Sequence, residues 1–241
     1  MSLQNQIALT LLKTKSLPVS QNWLWTFCSS INASRNVPLQ ALVHTAVYRV
    51  LHSDIQDTLS TDRTSSLLPT DVFNPAVKER ELAGPIPVQV LDIDDIGASA
   101  WNQVESIERV ERGEAVRGRE IVRAVNVDDH NGLENNNTAN GDASNAADGI
   151  SSRGPHRLIL QDAAGTKAVA VELKSIDGIA IGKLSIGSKM ILRNVTVARG
   201  IALLVPESVT VLGGKIEMLD REWTESRKDR LLERLAQSEG S

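Results

Sequence analysis

Four histidines, one cysteine and several acid pairs are the side chains in these 241 residues whose types could support proton transfer, nucleophilic attack or metal binding. Nucleophilic catalysis needs a serine, cysteine or threonine beside a base, and His44, His52, His130 and His156 stand in no motif that supplies one. His44 and His52 are eight apart, roughly two helical turns, so a helix would carry both on one face; a chelating pair is spaced by three or four. They read as surface or satisfied imidazoles. Gly178-Ile-Ala-Ile-Gly182-Lys183 has neither the length of a phosphate loop nor the hydroxyl residue placed after the lysine, so its glycines read as turn residues. Asp94-Asp95 and Asp128-Asp129 fall in expected loops and read as solvated charge. These residues predict no metal, no cofactor and no enzyme.

Cys28 is the single cysteine, which excludes an internal disulfide and any multi-cysteine zinc site and fits a reducing compartment. It follows Trp25 at helical spacing and reads as core. The N-terminus shows no basic segment followed by an apolar one, and apolar runs such as 201–205 fall far short of the roughly 20 residues that span a bilayer. An intracellular soluble protein with no membrane segment is expected, and the sequons at Asn32, Asn136 and Asn194 then carry no glycan.

The elements that would position side chains follow from periodicity. Residues 1–60 repeat at helical spacing: Ile7, Ala8, Leu11 and Leu12, then Trp23, Leu24, Phe27 and Ile31, then Leu39 to Leu51. This predicts three short helices, with Pro18 and Ser20 before the second and Pro38 opening the third. About sixty residues is marginal for an independent core, so the bundle should lean on the next domain. Residues 61–85 read as an extended linker tacked down by Leu67, Leu68, Val72 and Phe73.

At Ile86 the period changes to two, through Val88 and Val90, where the strand is expected to stop. Strands resume with a hairpin, Leu158-Ile-Leu160 and Val169-Ala-Val171, and continue at Lys189–Val197, Ile201–Val205 and Ser208–Leu212. A short apolar element at 176–181 lies between the third and fourth strands, a pattern that suits an OB-type barrel, with an SH3-like barrel as competitor. The expected fold is therefore α+β. A three-helix bundle (1–60) and a linker (61–85) precede an OB-fold barrel (86–215) whose first two strands are separated by an insertion of about 96–155. A C-terminal helix (216–241) carries Ile216, Leu219 and Trp223 on one face.

Barrels of this kind hold single-stranded nucleic acid with a basic groove and stacking aromatics. Between His156 and Lys215 there is no Phe, Tyr or Trp, and eight basic residues stand against four acids. Residues 94–155 carry twelve acids against six arginines, which should repel phosphate. DNA contact is thus expected to be weak or indirect. The insertion is far longer than the about 12–15 residues beyond which loops in compact domains are functional or disordered. Its second half is expected to stay disordered for want of apolar residues. Its first half places Trp101, Val104, Ile107 and Val110 three apart, so Trp101 either anchors a partner or folds back on the barrel.

Several stretches resemble one family: Pro18-Val19 with Trp23-Leu24, Pro87-Val-Gln-Val90, Ala100-Trp101-Asn-Gln-Val104, Leu158-Ile-Leu-Gln-Asp162, Gly187-Ser-Lys189 and Leu203-Leu-Val-Pro-Glu-Ser-Val-Thr-Val-Leu-Gly-Gly214. They are similar to the N-terminal region of the RecQ-mediated genome instability protein 1 family, in its short fungal form. That family supplies the OB-fold subunit of a RecQ helicase–topoisomerase III complex. The resemblance implies a non-catalytic nuclear protein of DNA repair and recombination that maintains genome stability. Its barrel would dock on topoisomerase III, a type IA enzyme, and its insertion would reach the enzyme's gate, favouring decatenation and double Holliday junction dissolution. It implies Lys189 beside the docking surface, and Trp101, Val104 and Ile107 in the gate segment. A single-stranded DNA-binding protein of repair or replication is the alternative, and a general adaptor a third reading.

Overall fold

The computed structural model describes residues 2–31, 38–116, 119–120 and 154–239. The chain divides into two compact units, Met1–Ala98 with Ser152–Asp229, and Ser99–Ser151 with Arg230–Ser241.

In the first unit, α1 (Leu3–Lys15), α2 (Gln21–Ile31) and α3 (Leu39–Leu51) form where the apolar period predicts them. Hydroxyls open the first two: Ser2 Oγ accepts from Asn5 N, and Ser20 Oγ accepts from Trp23 N at 3.2 Å. A one-turn α4 (Ile55–Thr58), too short to show a period, follows behind the Asp54 cap. Ile7, Leu11, Leu24, Phe27, Ala46 and Val50 make the bundle's core, and Cys28 lies in it, where burial raises its thiol pKa. Ala163 and Ile191 of the barrel complete the same cluster, so the bundle does lean on the barrel.

The segment expected as a linker is more structured than its composition suggests. Leu68 and Val72 enter the barrel core, but Phe73 is 63% exposed and tacks nothing down. Residues Glu79–Leu82 form a strand, β1, paired on one side only, with β8 (Val195–Ala198). β2 (Ile86–Asp95) runs ten residues and does not stop at Val90. A register shift between Val90 and Asp92 breaks the alternation and returns Ile93 to the interior, so Asp94 and Asp95 belong to a strand and not to a loop.

The remaining barrel strands are β5 (His156–Gln161), β6 (Lys167–Glu172), β7 (Lys189–Leu192), β9 (Ile201–Leu204) and β10 (Val209–Gly213). The sheet order is β1-β8-β9-β6-β5-β2-β7-β10. Because β7 runs into β8 and β9 into β10, the sheet curls back on itself and makes the OB barrel, with β6 and β9 as its parallel pair. Residues 173–188, within which a short apolar element was expected at 176–181, form turns that carry Ile176, Ile179, Leu184 and Ile186 into the barrel core. α6 (Glu217–Glu239) begins against the barrel: Leu219 and Trp223 pack on the core, and Trp223 Nε1 donates to Asp92 Oδ1 at 2.6 Å.

In the second unit, α5 (Ala100–Glu111) starts at Ser99, whose hydroxyl accepts from Asn102 N. A two-residue ladder joins β3 (Ala115–Val116) to β4 (Arg119–Glu120).

Candidate protein-docking site

Two constellations hold the expected site residues, and another stands at the root of the insertion. The first is Lys189. Its position in β7 is flanked by Met190, Ile191 and Leu192, all buried, and the lysine itself has no exposed surface. Its Nζ donates to Ser53 O at 2.6 Å, Gly187 O at 2.7 Å and Leu51 O at 3.3 Å. Two of these carbonyls lie at the C-terminal end of α3, so the ammonium caps that helix from inside the barrel wall. Burial pulls its pKa down to about 8, against the opposing charge of Asp54. Gln89 Oε1 reinforces the seam by accepting from Ile55 N at 3.0 Å. Gly214, at φ +95°, packs so closely that an added Cβ would stand 2.2 Å from Leu51 O. Lys189 therefore presents nothing to a partner. It holds the helical bundle on the barrel, and any part it takes in binding is positional.

The second constellation is the root of the insertion. Asp95, nearly buried at the end of β2, accepts from Gly97 N at 2.8 Å and Ala98 N at 3.1 Å. Ile96 N donates to Pro155 O at 3.0 Å, joining the departing chain to the returning one. Just beyond, Glu172 of β6 accepts from His156 Nδ1 at 2.5 Å and from His156 N at 3.0 Å, and its other oxygen accepts from Ile176 N. A histidine–carboxylate pair is also the base half of a hydrolytic triad. This one is 2% exposed on both partners, and both carboxylate oxygens are spent on the protein, so no substrate reaches it. It is a clamp. No sequence motif announces it, because its members lie 16 residues apart on neighbouring strands.

The third is α5. Trp101 is 64% exposed, Val104 is buried and Ile107 is half-buried. The apolar spacing thus splits, with Val104 turned inward and Trp101 left as a large indole in solvent. The expectation of disorder fell on residues 128–155, of which 128–153 lie outside the described residues. His44 and His52 are both exposed, and Tyr48 between them stacks on His52. Among the described residues no cluster of His, Cys, Asp and Glu could hold a metal, and no helix is long and apolar enough to cross a membrane.

An OB barrel fused to a helical domain, with a tryptophan-bearing helix in the insertion between β2 and β5, defines a protein of the OB-fold class. A family model described as "RMI1, N-terminal OB-fold domain" matches residues 61–227, and one described as "RMI1, N-terminal helical domain" matches residues 11–58. The chain belongs to this family. RecQ-mediated genome instability protein 1 of Schizosaccharomyces pombe is 26% identical over 212 residues, which cover 87% of each chain. The Xenopus laevis protein of the same name is 42% identical over 72 residues, 29% of this chain and 13% of its own.

Proposed function

We propose that this protein is a non-catalytic subunit of a RecQ helicase–topoisomerase III complex, acting in the nucleus to stimulate decatenation and double Holliday junction dissolution. The observation that carries this reading is the exposed Trp101 on a helix inserted between β2 and β5 of a barrel whose own strands hold no Phe, Tyr or Trp. The barrel's strands thus lack the rings on which single-stranded DNA would stack, and an exposed indole on the insertion is suited to fill a pocket on a protein. The names of the relatives, which place them in a RecQ pathway of genome stability, support the same reading. The barrel would bind the topoisomerase and α5 would bring Trp101, with Ile107 beside it, to the enzyme; Val104 would keep the helix in shape.

The test is a decatenation assay with a type IA topoisomerase III and a RecQ-family helicase, with the full chain added. Wild type should stimulate the reaction. Trp101→Ala should weaken binding by about 2 kcal/mol, roughly thirtyfold, because a truncated tryptophan anchor costs that much. Its stability should stay within about 0.5 kcal/mol, because the indole is largely in solvent. Full stimulation by Trp101→Ala would remove the insertion from the site.

A further inference from the structure

Beyond its bulge, the strand that leads into the insertion loses a neighbour. Residues 86–89 of β2 pair with β7, and from Gln89 onward β2 pairs with β5. The register shift between Val90 and Asp92 bends the strand, so that among the described residues 92–95 pair with β5 alone. A strand end held by the sheet on one side takes its direction from whatever else fastens it.

That fastening comes from α6. Trp223 Nε1 donates to Asp92 Oδ1 at 2.6 Å, a hydrogen bond to a carboxylate placed immediately after the bulge. The turn of helix that carries the indole is itself fixed on the barrel: Asp220 Oδ1 accepts from Ile186 N at 2.8 Å, Lys215 Nζ stands 3.2 Å from Asp220 Oδ2, and Leu219 packs on the core. Asp220 and Trp223 are three apart and share a face, and Arg227, a turn further on, lies over the Trp223 ring at 5.7 Å. The helix then runs on. Residues 224–230 hold no aliphatic side chain, the composition of a helical connection and not of a packed face. Through Asp229 the helix belongs to the first compact unit, and from Arg230 to the second, which also holds α5. In that second unit Leu231 of α6 and Val104 of α5 are both buried.

We infer that α6 is the positioning element of the insertion: Trp223, acting through Asp92, fixes the direction in which β2 leaves the barrel, and the tail of the same helix steadies α5, so that Trp101 is presented in one orientation. This rests on the reading above in taking Trp101 as the anchor. An anchor already ordered in the free protein loses less conformational freedom when it binds, and its affinity rises accordingly. Trp223 touches no partner. It is a positioning residue.

The test uses the full chain and two readouts. Trp223→Phe keeps a ring on the barrel and removes the donor to Asp92. Amide exchange at Gly97, Ala98 and Asn102, whose N–H groups are held by Asp95 and Ser99, should speed up by about tenfold, the factor carried by one hydrogen bond to a charged group. Exchange at Leu158 and Leu160 should stay as in wild type. Leu231→Ala, which leaves the indole in place, should speed exchange at Gln103 of α5 and leave Gly97 unchanged. Against a purified type IA topoisomerase III, Trp223→Phe should bind about fivefold more weakly than wild type, yet add no loss in the Trp101→Ala background, because both changes act on one contact. Unchanged exchange at Gly97, Ala98 and Asn102 overturns the inference. So does an equal acceleration at Leu158 and Leu160, which would make Trp223 a support of the whole barrel, and so do additive losses in the double variant. If wild type fails to bind, or Trp101→Ala binds as well as wild type, the proposed function or its anchor falls by itself, and the exchange pattern still decides whether α6 positions the insertion.

Discussion

Replacing Lys189 with alanine is expected to lower the unfolding free energy by about 3–5 kcal/mol at neutral pH, read from chemical denaturation of the full chain. The estimate follows from what the change leaves behind. Leu51 O, Ser53 O and Gly187 O lose their shared donor, and the four-carbon stem leaves a cavity between the barrel wall and α3. Lys189→Met keeps most of the stem's volume and should cost less. The same lysine makes the difference between wild type and Lys189→Met depend on pH. Its pKa is about 8 in the folded protein and 10.5 when free, so between these values the unfolded chain holds the extra proton. Stability from this group is then fully present above about 10.5 and is lost as pH falls through about 8. Over that window wild type should gain on Lys189→Met by about 1.4 kcal/mol per pH unit. A flat difference would mean that the ammonium stays charged in its pocket.

Glu172→Ala should be comparably severe, costing about 3–5 kcal/mol, because it strands a buried imidazole and two buried backbone N–H groups at once. Glu172→Gln keeps the shape but can no longer offer an acceptor with full charge to His156, so it should lie between alanine and wild type. The damage should be local to the mouth of the insertion. Amide exchange at Ile176 and His156, which donate to this carboxylate, should speed up well before that of the inner strand residues Leu158 and Leu160. Uniform acceleration through the whole barrel would contradict a clamp specific to that mouth.

Much of the fold was legible because its signals are local. The alternation at Leu158 and Leu160, and again at Ala168 and Ala170, marks the β5–β6 hairpin, and the apolar spacing of 7, 11, 24 and 27 marks the helices. Where the sequence misleads, a distant partner decides. The Glu-Arg-Glu-Leu of β1 holds one apolar residue, so nothing in it announces a strand; pairing with β8, more than a hundred residues away, creates it. The continuation of β2 beyond Val90 is hidden by a bulge that breaks the period of two. Phe73 is apolar by type, yet its ring stands in solvent while its backbone lies against Gly200.

The candidate site divides in the same way. For Trp101 the sequence leaves both readings open, anchor or fold-back, because Val104 and Ile107 follow it at the same apolar spacing. The burial of Lys189 is not readable, because a lysine normally stays in water and two of the three carbonyls that hold its ammonium, those of Ser53 and Leu51, lie 136 and 138 residues away. The clamp of His156 and Glu172 needs the β5–β6 pairing before its members meet.

We propose that this barrel binds a protein and not a single strand of DNA. It is tested most directly by titrating the purified full chain, in parallel and at physiological salt, with a type IA topoisomerase III and with a single-stranded oligonucleotide. The account predicts saturable binding to the topoisomerase at about micromolar or tighter, and no comparable binding to the oligonucleotide. Nanomolar, salt-dependent binding to the oligonucleotide without binding to the topoisomerase would contradict it.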